Sequence, residues 1–353
     1  MTYPPGPPYG YGYAPPPPPP KPGVIPLAPL SFGTVLGGAF ATFGRYWKQL
    51  LGVTAAVYGT ALLLVGAAVG IAYAAVGDLF PAVFDLPSGQ EPAWDDVRPL
   101  IVAFVCVWLA AMIAMVCASA VVAAACPAVV QEAVLGRPTT FGAVWRRAWS
   151  RMPAVLGTVV LTSLLLLLPV ALVAVAFAGT FAALLSAAAD SDAPGSGLWV
   201  VPLVAVVLAL LITPLAAWIW VKFSLAPAAA VVEGQGAVAS MRRSSFLVRD
   251  SWWRLFGCLL AIGAMASFAG WLIQQLLSVL VTAPLAAVDF SGDDPGALIA
   301  SFAVLFGFLA VGQLVSQAVV SLFPPLVASL LYVDQRIRKE NLAPELARAA
   351  GVF

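Results

Sequence analysis

Along this chain, apolar residues do not alternate with polar ones. They run on in long blocks broken by short polar clusters. Six stretches carry no charged residue: between Lys48 and Asp78, Arg98 and Glu132, Arg151 and Asp190, Asp192 and Lys222, Arg254 and Asp289, and Asp294 and Asp334. Each exceeds the roughly 20 apolar residues that a helix needs to cross a hydrocarbon core about 30 Å thick. Spanning structures satisfy their backbone groups only as helices or closed barrels, and barrel strands would show period-two alternation, which is absent. The pattern predicts an all-α polytopic membrane protein with six transmembrane helices.

Between the blocks lie shorter segments with helical apolar spacing. Phe32, Val35, Leu36, Ala39, Phe40, Phe43 and Trp47 fall on one face. Phe141, Val144, Trp145, Ala148 and Met152 do the same, with Arg146, Arg147 and Arg151 turned away. A weaker version places Val238, Met241, Val248 and Trp252 together, with Arg243 and Arg254 elsewhere. Such basic, aromatic, amphipathic helices belong in a membrane interface, where anionic headgroups attract arginine by about 1 kcal/mol each. Arg146, Arg147, Arg151, Arg242 and Arg243 are therefore the candidate anionic-lipid interface.

These segments recur with the larger architecture. Each opens a unit near Ser31-Phe32-Gly33, Thr140-Phe141-Gly142 or Gly236-Ala237-Val238. A helix out, an acidic loop and a helix back follow. The unit then closes on proline, small apolar residues and an acid, at Pro127 to Glu132, Pro227 to Glu233 and Pro325 to Asp334. The expectation is three hairpins related by a threefold internal repeat, with three cytoplasmic amphipathic helices.

Charge sets the orientation. Only 9% of residues are charged and 62% are hydrophobic, far from the balance of a soluble domain. Six crossings from a cytoplasmic start put every one of the 17 basic residues except Arg98 inside. Basic residues in short loops fix topology, so both termini are expected in the cytoplasm of a bacterial plasma membrane. No basic region followed by an apolar core and a small-residue cleavage site opens the chain, so the first span is expected to serve as the insertion signal.

Candidate chemistry is sparse. There is no histidine, which removes the commonest general base and metal ligand. Cys106, Cys117, Cys126 and Cys258 lie in apolar runs without metal-like spacing and read as packing residues. The adjacent acids Asp95-Asp96 and Asp293-Asp294 read as solvated loop residues. Polar groups enter the spans at Gln274, Gln275, Gln313 and Gln317, expected to make interhelical hydrogen bonds. Pro127, Pro227 and Pro324-Pro325 are expected to bend helices where they leave the bilayer. No catalytic residue, metal site or cofactor is expected.

Residues 1–30 form a Pro/Tyr/Gly-rich cytoplasmic tail without an apolar period, expected to remain extended and disordered. Residues 31–340 form the transmembrane domain, and 341–353 a cytoplasmic C-terminal tail. Pro15 to Pro20 offer a docking segment for a protein partner. The expected partners are the lipid bilayer and that protein, with no nucleic acid.

The segments KPGVIPLAPLSFGTVLGGAF, VKFSLAPAAAVVEGQGAVASMRRSSFLVRDSWWRLFG and LLYVDQRIRKENLAPELA resemble signatures of an uncharacterised actinobacterial six-span membrane protein family. That family is itself similar to the membrane domain of glycerophosphoryl diester phosphodiesterases. The resemblance covers about residues 21 to 347 and implies a helical membrane domain without a catalytic domain of its own. Members commonly carry an acid where this chain reads Thr34 to Ala39, and it has none there. The function expected is a non-catalytic scaffold or accessory subunit. The alternatives are a small-molecule or lipid transporter, and the membrane component of a lipid phosphodiester system with a separate catalytic chain.

Overall fold

The computed structural model describes residues 20–84, 92–189, 200–285 and 295–351. Among them the chain is helical, with no strand. The long helices are α1 (Phe32–Val76), α3 (Trp94–Val134), α4 (Phe141–Ala189), α5 (Val200–Phe223), α8 (Trp252–Leu285) and α9 (Pro295–Glu340). Shorter ones are α2 (Phe80–Phe84), α6 (Ala226–Val232), α7 (Ala237–Val248) and α10 (Ala343–Ala349). Among the described residues, five segments are long and apolar enough to cross a membrane: Phe32–Leu79, Trp94–Val134, Phe141–Leu167, Val206–Val232 and Trp252–Leu280.

Local sequence explains the joints. Ser31 caps α1 by accepting from the Thr34 amide at 3.3 Å. The amphipathic opener of α1 passes into its apolar run at Tyr46, the one residue with non-helical dihedrals inside the helix. The second opener continues through Pro153 into α4. The third is a separate helix, because Asp250 takes a positive φ of 71° and turns the chain between α7 and α8. Asp95 and Asp96 sit in the first turn of α3, where carboxylates complement the helix dipole.

The prolines take two kinds of position. Pro127 lies inside α3 and Pro324-Pro325 inside α9, so neither ends its helix. Only Pro227 follows a break, standing in the first turn of α6, where a missing N–H costs nothing.

Packing is uneven along the bundle. Helix α1 lies against α3, α4 against α5, and α8 against α9, with α3 also contacting α4 and α9. The buried core gathers at the end where the arginines cluster. It comprises the last turns of α3, residues 322–337 of α9, α6, and the openers of α1 and α4. Farther along the same helices, Leu63, Ile71, Phe104, Val175, Leu210 and Phe268 are exposed.

Both chain ends correct the expected boundaries. Residues 20–30 are packed, not free: Val24, Ile25, Leu27 and Leu30 are buried in the core. The Val24 amide donates to Ala133 O at 3.1 Å, and Gly23 lies so close to Ala133 O that a Cβ would fall 2.1 Å from it. The proline-rich composition hid four apolar side chains that fit one groove. The rest of the expected tail, residues 1–19, lies outside the described residues. The expected C-terminal tail holds α10, docked by Arg137 Nη2 donating to Ala349 O at 2.6 Å and by buried Ala347.

Candidate functional site at the arginine-rich base

Three acids organise this base: Glu132 ending α3, Glu233 ending α6 and Asp334 within α9. They fall at equal intervals along the sequence. Asp334 is fully buried and accepts from the Leu30 amide at 2.7 Å, Arg254 Nη1 at 2.6 Å and Arg338 Nε at 3.0 Å. The same two arginines donate to Leu30 O, so one carboxylate and one carbonyl are shared by two guanidinium groups. A buried carboxylate persists only when its lone pairs are filled in this way.

Glu233 is bonded by Arg243 Nε at 2.7 Å, by the Tyr332 hydroxyl and by Gln235 Nε2 at 2.9 Å. Arg243 reaches on to Glu340 at 2.5 Å, and Arg336 pairs with Glu340 at 2.9 Å. Burial alone would lower Arg243 and Arg336, yet their carboxylate bonds outweigh it and hold both above the ordinary arginine value. Burial would raise Glu340, but the Arg336 and Arg243 bonds hold it below the usual carboxylate range. Glu132 has the loosest pairing, with Arg147 at 4.0 Å.

Each acid is followed by a corner in the left-handed region. Gly136 has φ 72°, Gly234 has φ 69° and Asn341 has φ 52°. Arg45 Nη2 donates to Gly136 O at 3.1 Å, and Arg151 Nη1 donates to Gly234 O at 3.0 Å. At both glycines a Cβ would also press on a neighbour, Pro22 O at 2.5 Å or the Arg151 guanidinium at 2.9 Å. Tyr46 and Gln49 secure the first corner by donating to Arg137 O and Thr139 O.

Two apolar spaces adjoin the base. One, of about 630 Å³, lies between α1, α3 and α4, lined by Val57, Leu64, Ile113, Cys117, Trp145 and Trp149. Another, of about 300 Å³, lies where Pro127, Pro227, Pro324 and Pro325 converge. Thr158, Ser224 and Ser329 line it, and their hydroxyls donate to Val155 O, Val221 O and Pro325 O of their own helices. Their lone pairs remain as acceptors.

The five arginines expected at a lipid interface divide. Arg147, Arg151 and Arg243 are taken by Glu132, by Gly234 O, and by Glu233 with Glu340. Arg146 and Arg242 are exposed, and Arg146 borders a small polar cleft with Glu132. The openers pack more deeply than interface helices would: Val35, Ala39, Val144 and Ala148 belong to the core, while Phe32, Phe40, Trp47 and Trp149 face outward. Gln274 and Gln275 of α8 and Gln313 of α9 are exposed, and Gln317 is half-buried. The close approach of α8 and α9 runs through glycine instead, with Gly270 against Val320 and Gly312 against Leu277.

The sequence marked Asp334 as the acid closing the third unit but not as a buried hub, because it opens a charged run, Asp334-Gln335-Arg336-Ile337-Arg338-Lys339, that reads as a solvated helix end. Its equal spacing with Glu132 and Glu233 was the available signal. Among the described residues, no three His, Cys, Asp or Glu side chains converge as metal ligands. Comparison with family models, curated proteins and solved structures finds no match for this chain.

Proposed function

We propose that this chain is a six-span membrane scaffold of three hairpins, with both termini cytoplasmic and no chemistry of its own. The carrying observation is the state of the acids at the base. Glu132, Glu233, Asp334 and Glu340 are all held by arginines, so their charge is committed to structure. A general acid or base needs an accessible carboxyl free to exchange a proton, and these are engaged by guanidinium groups. The equal spacing of Glu132, Glu233 and Asp334, each engaged by arginine at the base, supports the threefold repeat. The α8–α9 packing supports α9 as the sixth span.

Orientation is tested by labelling with an impermeant maleimide in a background with Cys106, Cys117, Cys126 and Cys258 replaced by alanine. Asp95→Cys should label from outside intact cells and Arg242→Cys only after lysis. The reverse pattern overturns the topology. For function, purified protein in liposomes should move neither fluorescent lipid nor solute above protein-free vesicles.

A transporter reading has its own support in the proline-lined space, where hydroxyl groups, Thr158, Ser224 and Ser329 among them, offer acceptors inside an apolar wall. Movement of a neutral hydroxylated solute in those liposomes would establish it over the scaffold. The resemblance to phosphodiesterase membrane domains makes a separate hydrolase the partner to seek by copurification.

A further inference from the structure

A cleft of about 570 Å³ opens between the end of α5, α7 and the start of α8. Its aromatic walls are Trp218, Phe246 and Trp252, and its charged groups are Lys222, Arg249 and Asp250. Lys222 Nζ stands 4.3 Å from the Trp218 ring centre, held over an aromatic face and not beside an acid. Ser244 fixes this wall by donating to Lys222 O at 2.8 Å.

Asp250 does not cancel the cleft's charge. Its carboxylate is paired with Lys339 Nζ at 3.4 Å, and Lys339 also donates to the Arg249 and Phe246 carbonyls. With Lys339 included, cations exceed acids, and among the described residues neither Lys222 nor Arg249 has a carboxylate partner. The first turn of α8 carries no acid, so its free amides add positive field.

We infer that this cleft holds the phosphate of an anionic glycerophospholipid, with Lys222 and Arg249 supplying charge and Trp218, Phe246 and Trp252 bordering the glycerol and upper acyl chains. Lys222 ends the apolar run of α5, at the level where lysine and tryptophan sort to the headgroups. Of the opener arginines, Arg147, Arg151 and Arg243 are spent on internal partners, whereas Lys222 and Arg249 share one aromatic-walled cleft. The inference rests on the membrane placement proposed above and is independent of the scaffold reading.

The test uses full-length protein in detergent, titrated with phosphatidylglycerol or phosphatidylcholine, with bound lipid counted by native mass spectrometry. Phosphatidylglycerol should bind in preference. Lys222→Gln and Arg249→Gln should each weaken it about fivefold, and together about twentyfold. Arg348→Gln, on α10 and away from the cleft, should leave it unchanged. Lys222→Arg should retain binding, which separates lost charge from lost fold. Equal binding of the two lipids, or an unaffected double variant, would overturn the inference. So would displacement of phosphatidylglycerol by millimolar inorganic phosphate, which would identify a free-phosphate site. A failed topology would appear in the maleimide labelling, whatever the lipid counts show.

Discussion

The two ends of the bundle are built on different principles. At the base, side chains bury one another, and charges are matched in a network from Leu30 through Asp334, Arg254 and Arg338. Farther out the same helices expose Leu63, Ile71, Phe104, Val175 and Leu210, side chains that water would not tolerate in such number. Lipid tails are as apolar as leucine, so nothing drives those faces together in a membrane. The base can be held by protein alone, whereas the outer halves rely on the bilayer. Specificity of fold therefore resides in the base.

The sharpest way to break this contrast is to remove the strap. Deleting residues 1–30 strips Ile25, Leu27 and Leu30 from the core and leaves Asp334 without its amide partner. At about 1.5 to 3 kcal/mol per buried side chain, the loss should exceed about 5 kcal/mol. Thermal unfolding in detergent should show a collapse of the transition, while deletion of residues 1–19 leaves it in place. An equal response to both truncations would place the core elsewhere.

Asp334→Asn keeps the shape and removes the charge. Arg254 and Arg338 are about a third exposed, so the loss belongs at the lower end for a broken buried pair, about 3 kcal/mol. Gly23→Ala forces a methyl toward Ala133 O and should cost about 1 to 3 kcal/mol in the same assay.

A smaller effect sharpens the electrostatic half of the comparison. Glu340 is held below its ordinary range in the folded state, so it contributes stability above the unfolded glutamate value of about 4.3. That contribution should fade as pH falls through the folded value, and Glu340→Gln should flatten the acid limb of a melting curve measured against pH. An unchanged acid limb would assign it to other carboxyls. Smallest of all, Leu63→Ala lies on the outer half of α1, where the side chain is 76% exposed. It should shift stability by no more than about 0.5 kcal/mol in detergent.

The helical membrane character was legible because charge-free length is a strong, local signal. The amphipathic openers were legible too, but their partners were not. Periodicity tells that Val144 and Ala148 share a face, not whether acyl chains or another helix will cover it. The strap escaped because Val24, Ile25, Leu27 and Leu30 are spaced by prolines and follow no helical or strand period. Lys222 and Arg249 escaped for another reason. They lie far apart in sequence and become neighbours only when α7 packs back against the end of α5, whereas one arginine of each pair that drew notice, Arg147 and Arg243, is an internal strut.

The bond between the Leu30 amide and Asp334 joins residues 304 apart in sequence. A ribosome adding about 5 to 20 residues per second finishes the carboxylate roughly 15 to 60 s after the amide. Until then the inner end of the strap lacks its carboxylate, and only Arg254 can reach the Leu30 carbonyl. The fastening therefore reports that the last helix has been made and delivered to its place. A chain truncated before Asp334 would display a loose, proline-rich end to the proteases that survey nascent membrane proteins, and a completed one would not.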